Sequence, residues 1–171
     1  MTTQYFGIYR GTVVNNIDPT RIGRIMAIVP DVGGTTLMWA MPCVPLAGRQ
    51  MGTFMVPQVG ANVWMQFEGG DPNYPVWIGG YWSTAADVPP LGMAGVAGAP
   101  ANPNIVLQSS LHNVVVISDV TGPTGGIMLK STTGATIIVN DTGIYIQNGK
   151  GASLVMVGPT VTINNGALVV V

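Results

Sequence analysis

The chain has 171 residues, of which 47% are hydrophobic and only 8% charged, and its formal net charge is −1. Six Lys and Arg argue against a nucleic-acid partner, because phosphate neutralisation needs several clustered cations. The high hydrophobic content excludes an intrinsically disordered chain. The 24 Gly and 13 Pro disfavour long helices and favour short strands joined by turns, so the fold class is read as all-β.

The first zone, residues 1–87, holds all four Trp, all three Phe and four of the five Tyr. Strands are expected over Ile8–Asn15, Arg24–Val29, Leu37–Leu46, Asn62–Glu68 and Val76–Trp82. In the fourth run Val63, Met65 and Phe67 alternate with Trp64, Gln66 and Glu68, the period of two of a half-buried strand. Turn-forming clusters separate the runs: Asn16-Ile17-Asp18-Pro19, Pro30-Asp31-Val32-Gly33-Gly34 and Gly69-Gly70-Asp71-Pro72-Asn73. About five strands with no helix suggest a small barrel or sandwich.

Residues 88–104 (VPPLGMAGVAGAPANPN) read as a linker, rich in Pro, Gly and Ala. These prolines and glycines also exclude a membrane-spanning helix in the uncharged stretch 88–118. The N-terminus lacks the basic-then-apolar layout of a signal peptide, so synthesis in the cytoplasm is expected.

The last zone, residues 105–171, changes to Val, Ile, Thr, Asn and Gly and carries only Asp119, Lys130, Asp141 and Lys150 as charges. It repeats. Residues 135–151 align without gaps on 152–168, a period of 17, and Gly126, Ile127 and Leu129 belong to an earlier partial copy. Each unit reads as two short strands, with turns at Asn140-Asp141-Thr142-Gly143 and at Asn148-Gly149. The pattern suits a β-helix or solenoid, or a meander of hairpins.

Alternation puts Ile137, Val139, Ile144, Ile146, Leu154, Met156, Val161 and Ile163 on one side. A one-layer strip must cover such a side with another layer, and this segment has no helix or second sheet to do so. Self-association around a common axis is the simplest answer, and an obligate oligomer is expected.

The first zone resembles a known family through a series of short motifs in order over residues 5–82. They are Arg10-Gly11-Thr12-Val13, Asp18-Pro19, Gly23-Arg24-Ile25, Pro42-Cys43-Val44-Pro45, Gly60-Ala61-Asn62-Val63-Trp64, Phe67-Glu68-Gly69-Gly70-Asp71-Pro72 and Tyr74-Pro75-Val76-Trp77-Ile78-Gly79-Gly80. The series resembles the OB-fold domain of the central spikes of contractile injection machines, which include phage baseplate assembly protein V, the phage cell-puncturing spike and the VgrG proteins of type VI secretion. The resemblance implies an OB-fold collar (1–87), a linker (88–104) and a needle (105–171) in which three chains form a triple-stranded β-helix.

It implies a homotrimer in the virion, at the phage tail baseplate, that pierces the target cell envelope when the sheath contracts. The eight apolar residues above would form the trimer core. Only about four residues precede the match, so a separate baseplate hub protein is expected at the OB end. The His-x-His iron pair of some phage spikes is missing, and the chain instead ends in Leu168, Val169, Val170 and Val171. A PAAR-like tip protein is expected to dock on these four, since an exposed apolar β terminus is otherwise a liability; the alternative is that they complete the prism core.

Catalytic chemistry is poorly supplied. Glu68, Asp71, Asp18 and Asp31 fall at strand ends or turns, and no facing carboxylate pair is expected among them. Ser109 or Ser110, His112 and Asp119 sit on one extended segment without an oxyanion hole. His112 could meet its copies on a trimer axis around a metal, although a solvent-facing histidine is the simpler reading. Cys43, in an apolar run, reads as a buried small hydrophobe. No cofactor, metal or catalytic residue is assigned. The rival readings are an OB module binding nucleic acid or another ligand, and a trimeric tailspike that binds or cleaves glycans.

Overall fold

In the computed structural model, residues 3–33, 38–92 and 103–170 are described, the side chain of Val169 excepted. Two units divide the chain, Met1–Ala85 and Ala86–Val171. Among the described residues both are built from strands, with no helix beyond single 3-10 turns.

In the first unit, β1 (Tyr9–Asn15), β2 (Met26–Ile28), β3 (Met41–Pro42), β6 (Asn62–Phe67) and β7 (Pro75–Gly80) form one sheet in the order β2-β1-β6-β7-β3. A hairpin of β4 (Ala47–Gly48) and β5 (Met51–Gly52) stands apart from that sheet. The two edges of the five-stranded sheet are stitched together just outside their strands: Ile25 and Ala40 exchange backbone hydrogen bonds of 3.2 and 2.7 Å. That bridge curls the sheet into the small barrel of an OB-fold. Inside lie Val13, Ile25, Ala27, Val29, Ala40, Val63, Met65, Phe67 and Trp77, the inward positions of alternating strands.

The expected strands over 8–15, 62–68 and 76–82 form, but the runs over 24–29 and 37–46 give shorter ones. Pro42 and Pro45 lack the N–H of a ladder donor, so β3 stops after two residues. Residues 34–37 lie outside the described part. Sequence reading missed the hairpin β4–β5 altogether, because Ala47, Gly48, Met51 and Gly52 show neither alternation nor β-branching.

The second unit is an eight-stranded antiparallel meander: β8 (Ile105–Gln108), β9 (Val114–Ser118), β10 (Gly126–Lys130), β11 (Thr136–Asn140), β12 (Gly143–Gln147), β13 (Ser153–Val157), β14 (Thr160–Ile163) and β15 (Leu168–Val170). Each strand pairs only with its sequence neighbours, so the single chain is an antiparallel meander, and this sheet fits the β-helical trimerisation domain expected of three chains together. Of the expected linker, residues 93–102 lie outside the described part. Asn104 is tied back to Gly92, its N–H donating to the Gly92 carbonyl at 3.2 Å.

The 17-residue period has a physical origin in the turns. Ser131 donates its N–H to the Ala135 carbonyl at 2.9 Å, and its hydroxyl accepts the Ala135 N–H at 3.0 Å. Seventeen residues later Asn148 repeats the geometry: its N–H donates to Ala152 O at 3.1 Å and its Oδ1 accepts the Ala152 N–H at 3.0 Å. Ser109 and Asn113 form a third copy at 2.9 and 3.1 Å. A short side-chain oxygen at the first position therefore sets each turn at this end of the sheet.

Candidate functional site: the apolar face of the C-terminal sheet

The register of the meander brings one residue of each strand into line with its neighbours. Leu107, Val115, Leu129, Ile137, Ile146, Leu154, Ile163 and Leu168 are successive cross-strand partners. Two residues further along each strand, Ile105, Ile117, Ile127, Val139, Ile144, Met156, Val161 and Val170 form a second row. Since residues two apart point the same way, both rows lie on one face. No polar side chain interrupts either row.

This face is open to solvent. Ile105, Leu107, Ile117, Ile127, Leu129, Ile137, Val139, Ile146, Leu168 and Val170 are all exposed, from 38% at Ile146 to 64% at Ile105. Covering the remaining half of each such side chain is worth about 1 kcal/mol. Repeated along the ladder, this is comparable to the whole stability of a domain. The opposite face is mixed: Gln108, Lys130, Thr136, Gln147 and Ser153 share one row with the buried Val114, and beside it Val106, Val116, Met128, Ile138, Tyr145 and Val155 form a largely apolar row.

All eight residues singled out from the repeat lie in these two rows, four in each. The rows extend further than the repeat indicated: Ile127 and Leu129 of the partial copy continue them in β10, and β8 and β9 carry them on although their sequences fall out of the 17-residue period. Alternation within Ile105–Leu107 and Val115–Ile117 was the available signal. Leu168 and Val170 also fall in register with the rows, opposite Ile163 and Val161. What β15 leaves open at the end of the sheet is its hydrogen-bonding edge, as the last strand in the order. Val171 lies outside the described residues.

The candidate catalytic groups are not assembled. His112 sits in the turn before β9 and Asp119 directly after it, so the five residues of that strand, roughly 17 Å, keep them apart. Asp18 is buried against Arg24, whose guanidinium is the main cause holding its carboxyl well below the usual carboxylate range. Asp71 accepts the Asn73 N–H in its own turn at 2.9 Å, and Asp31 is exposed. Among the described residues no group of three or more His, Cys, Asp and Glu is placed to hold a metal ion. Cys43 is exposed, contrary to the expectation of burial; alternation along the edge strand turns Ala40 into the core and Met41 and Cys43 outward. Of the arginines, Arg10 lies over the rings of Trp64 and Tyr81 at 5.6 and 5.5 Å.

Comparison with protein families follows the same division. Residues 9–82 match the type VI secretion system/phage-baseplate injector OB domain. Residues 104–169 match the phage baseplate V C-terminal trimerisation domain. No individual curated protein matches the chain. With an injector OB barrel followed by a trimerisation sheet whose one face is a continuous apolar ladder, the chain belongs to the phage baseplate V family of injection-machine spike proteins.

Proposed function

We propose that the protein is the central spike of a contractile phage tail or related injection system, a homotrimer that pierces the target envelope when the sheath contracts. The observation that carries this reading is the two-row apolar face. Three copies turned inward about one axis bury both rows of each chain, with Ile137, Val139, Ile144, Ile146, Leu154, Met156, Val161 and Ile163 at the trimer core. Its role is mechanical and non-enzymatic: such a prism supplies stiffness and slow unfolding, and it converts no substrate.

In this reading the collar comprises residues 1–87, the linker 88–104 and the needle 105–171, and the particle is assembled in the host cytoplasm. The OB domains attach to a separate baseplate hub protein. A PAAR-like tip protein docks at the C-terminal end on Leu168, Val169, Val170 and Val171. The register of Leu168 and Val170 with the inward rows supports a docking mode led by the free edge of β15, with strand addition as its main bond.

The decisive experiment is the mass of the purified protein by light scattering, paired with an unheated sample in SDS. Three chains of 17.8 kDa in a band that dissociates only on boiling is the expected result. A well-behaved monomer would overturn the proposal.

A further inference from the structure

The OB unit has an apolar surface that its own core does not use. A groove of about 470 Å³ lies between the β4–β5 hairpin and the barrel, floored by Trp77 and lined by no charged side chain. Its rim is exposed to an unusual degree for apolar residues: Ile22, Met41, Leu46, Met51, Phe54 and Met55 are 42–72% accessible. Soluble monomers rarely leave contiguous apolar patches of this kind uncovered.

The hairpin that forms one wall is held in place from within. Thr53 donates its N–H to the Leu46 carbonyl at 2.9 Å, and a Cβ at Gly52 would stand 2.6 Å from that same oxygen. On the other side, Phe54 packs beside Gly23, where a Cβ would meet its ring at 3.4 Å. The groove is thus preformed, and methionines at 41, 51 and 55 give it an adaptable lining.

The geometry points to a second copy of this chain as the occupant: the grooves and hairpins of the three OB units pack against one another around the three-fold axis. This inference rests on the trimer reading. The trimerisation domain holds the copies together from residue 104 onward, and the OB unit ends at Ala85. Even fully extended, the intervening residues reach only about 65 Å. Three OB units tethered within that radius meet at about millimolar local concentration. At that concentration an uncharged, Met-lined patch pairs with its own copies before any free partner does. An interface with a different protein would ordinarily carry charges to set partner and register, and the lining of this groove carries none.

The test uses the purified full-length chain alone, so that no other protein can cover the groove. Met51→Cys is introduced in a Cys43→Ser background, and the rate of thiol modification by a small soluble reagent is measured under native conditions. Met51 is 59% exposed in the single chain, so an uncovered thiol reacts at the free rate. The expected result is a trimeric mass with modification at least tenfold slower than in urea-unfolded protein. Adding Phe54→Glu, which puts a charge into the shared groove, should restore the fast rate without changing the trimeric mass. A trimer whose thiol reacts at the free rate before Phe54→Glu is added overturns this inference and leaves the trimer intact. A monomeric mass overturns the trimer itself.

Discussion

Asp18 and Arg24 clamp the connection between β1 and β2. The guanidinium donates from Nη2 at 2.7 Å and from Nε at 3.0 Å to the same carboxylate oxygen, Oδ1. Asp18 also accepts the backbone N–H groups of Thr20, Ile22 and Arg24 at 2.9–3.2 Å. One side chain therefore gathers a turn in which Arg21 adopts a positive φ of 57°. Arg24 in turn lies over the Trp39 ring at 5.5 Å.

Because its partners depress the Asp18 pKa, the ionised form is favoured by folding. The stability it contributes is fully present above the ordinary carboxylate range, near pH 4, and declines as pH falls below it. Asp18→Ala should therefore lower the thermal midpoint of the OB unit by several degrees at pH 7. The gap to wild type should narrow progressively in melts at pH 4, 3 and 2. A gap independent of pH would show that the carboxylate charge is not what holds the turn.

Trp77→Phe tests the adjoining anchor. The indole Nε1 donates to the Gly23 carbonyl at 3.1 Å inside the barrel, and Gly23 itself holds a φ of 83°. Removing the donor leaves a buried carbonyl unpaired, at a cost of about 1–3 kcal/mol. Urea titration followed by far-UV circular dichroism should show a lower midpoint with an unchanged slope.

The sequence made the second unit more legible than the first, for a physical reason. A meander with local pairing writes its register directly into alternation, so Ile137 through Ile163 announce their shared face without any tertiary knowledge. The barrel closes through Ile25 and Ala40, an isolated bridge between residues 15 apart that no periodicity marks. The β4–β5 hairpin is set by Gly52 approaching the Leu46 carbonyl, a contact that leaves only a glycine as its trace. The 17-residue period, in turn, found the apolar rows but stopped short of β8 and β9, because the loop after β9 is longer and breaks the count without breaking the register.

Gly149 joins neighbouring turns along one end of the sheet. Its φ is 71°, and a Cβ there would stand 2.7 Å from the Gly134 carbonyl carbon and 2.8 Å from the Thr133 carbonyl oxygen. Gly149→Val should destabilise the needle by about 2–4 kcal/mol through strain and the forced separation of the two turns. Lys150→Ala, one residue on, should change it by less than about 0.5 kcal/mol. Rates of unfolding in SDS or guanidinium separate the two variants.

Ile146 and Gln147 are adjacent in β12 and point to opposite faces, which makes them a matched pair for the trimer. Ile146 lies between Ile137 and Leu154 in an apolar row, whereas Gln147 lies between the polar side chains of Thr136 and Ser153 on the opposite face. Ile146→Glu would place three carboxylates in the shared core, and light scattering should show loss of the trimer. Gln147→Glu should leave the mass at three chains. Equal behaviour of the two variants would mean that the faces are not distinguished by assembly.

The free edge of β15 yields the last prediction. Leu168 and Val170 already belong to the rows opposite Ile163 and Val161, so removing residues 168–171 shortens the ladder by one strand and exposes the next edge, β14. Seven strands still carry both apolar rows, and the truncated protein should remain trimeric. The new terminal strand, Thr160–Ile163, is followed by the Asn164–Gly166 turn rather than by apolar β-prone residues, and it offers a poorer template for strand addition. A conical tip protein of the PAAR kind should therefore bind the full-length trimer in a pull-down and fail to bind the truncated one. Retained binding after truncation would remove β15 as the docking element and place the contact elsewhere on the needle.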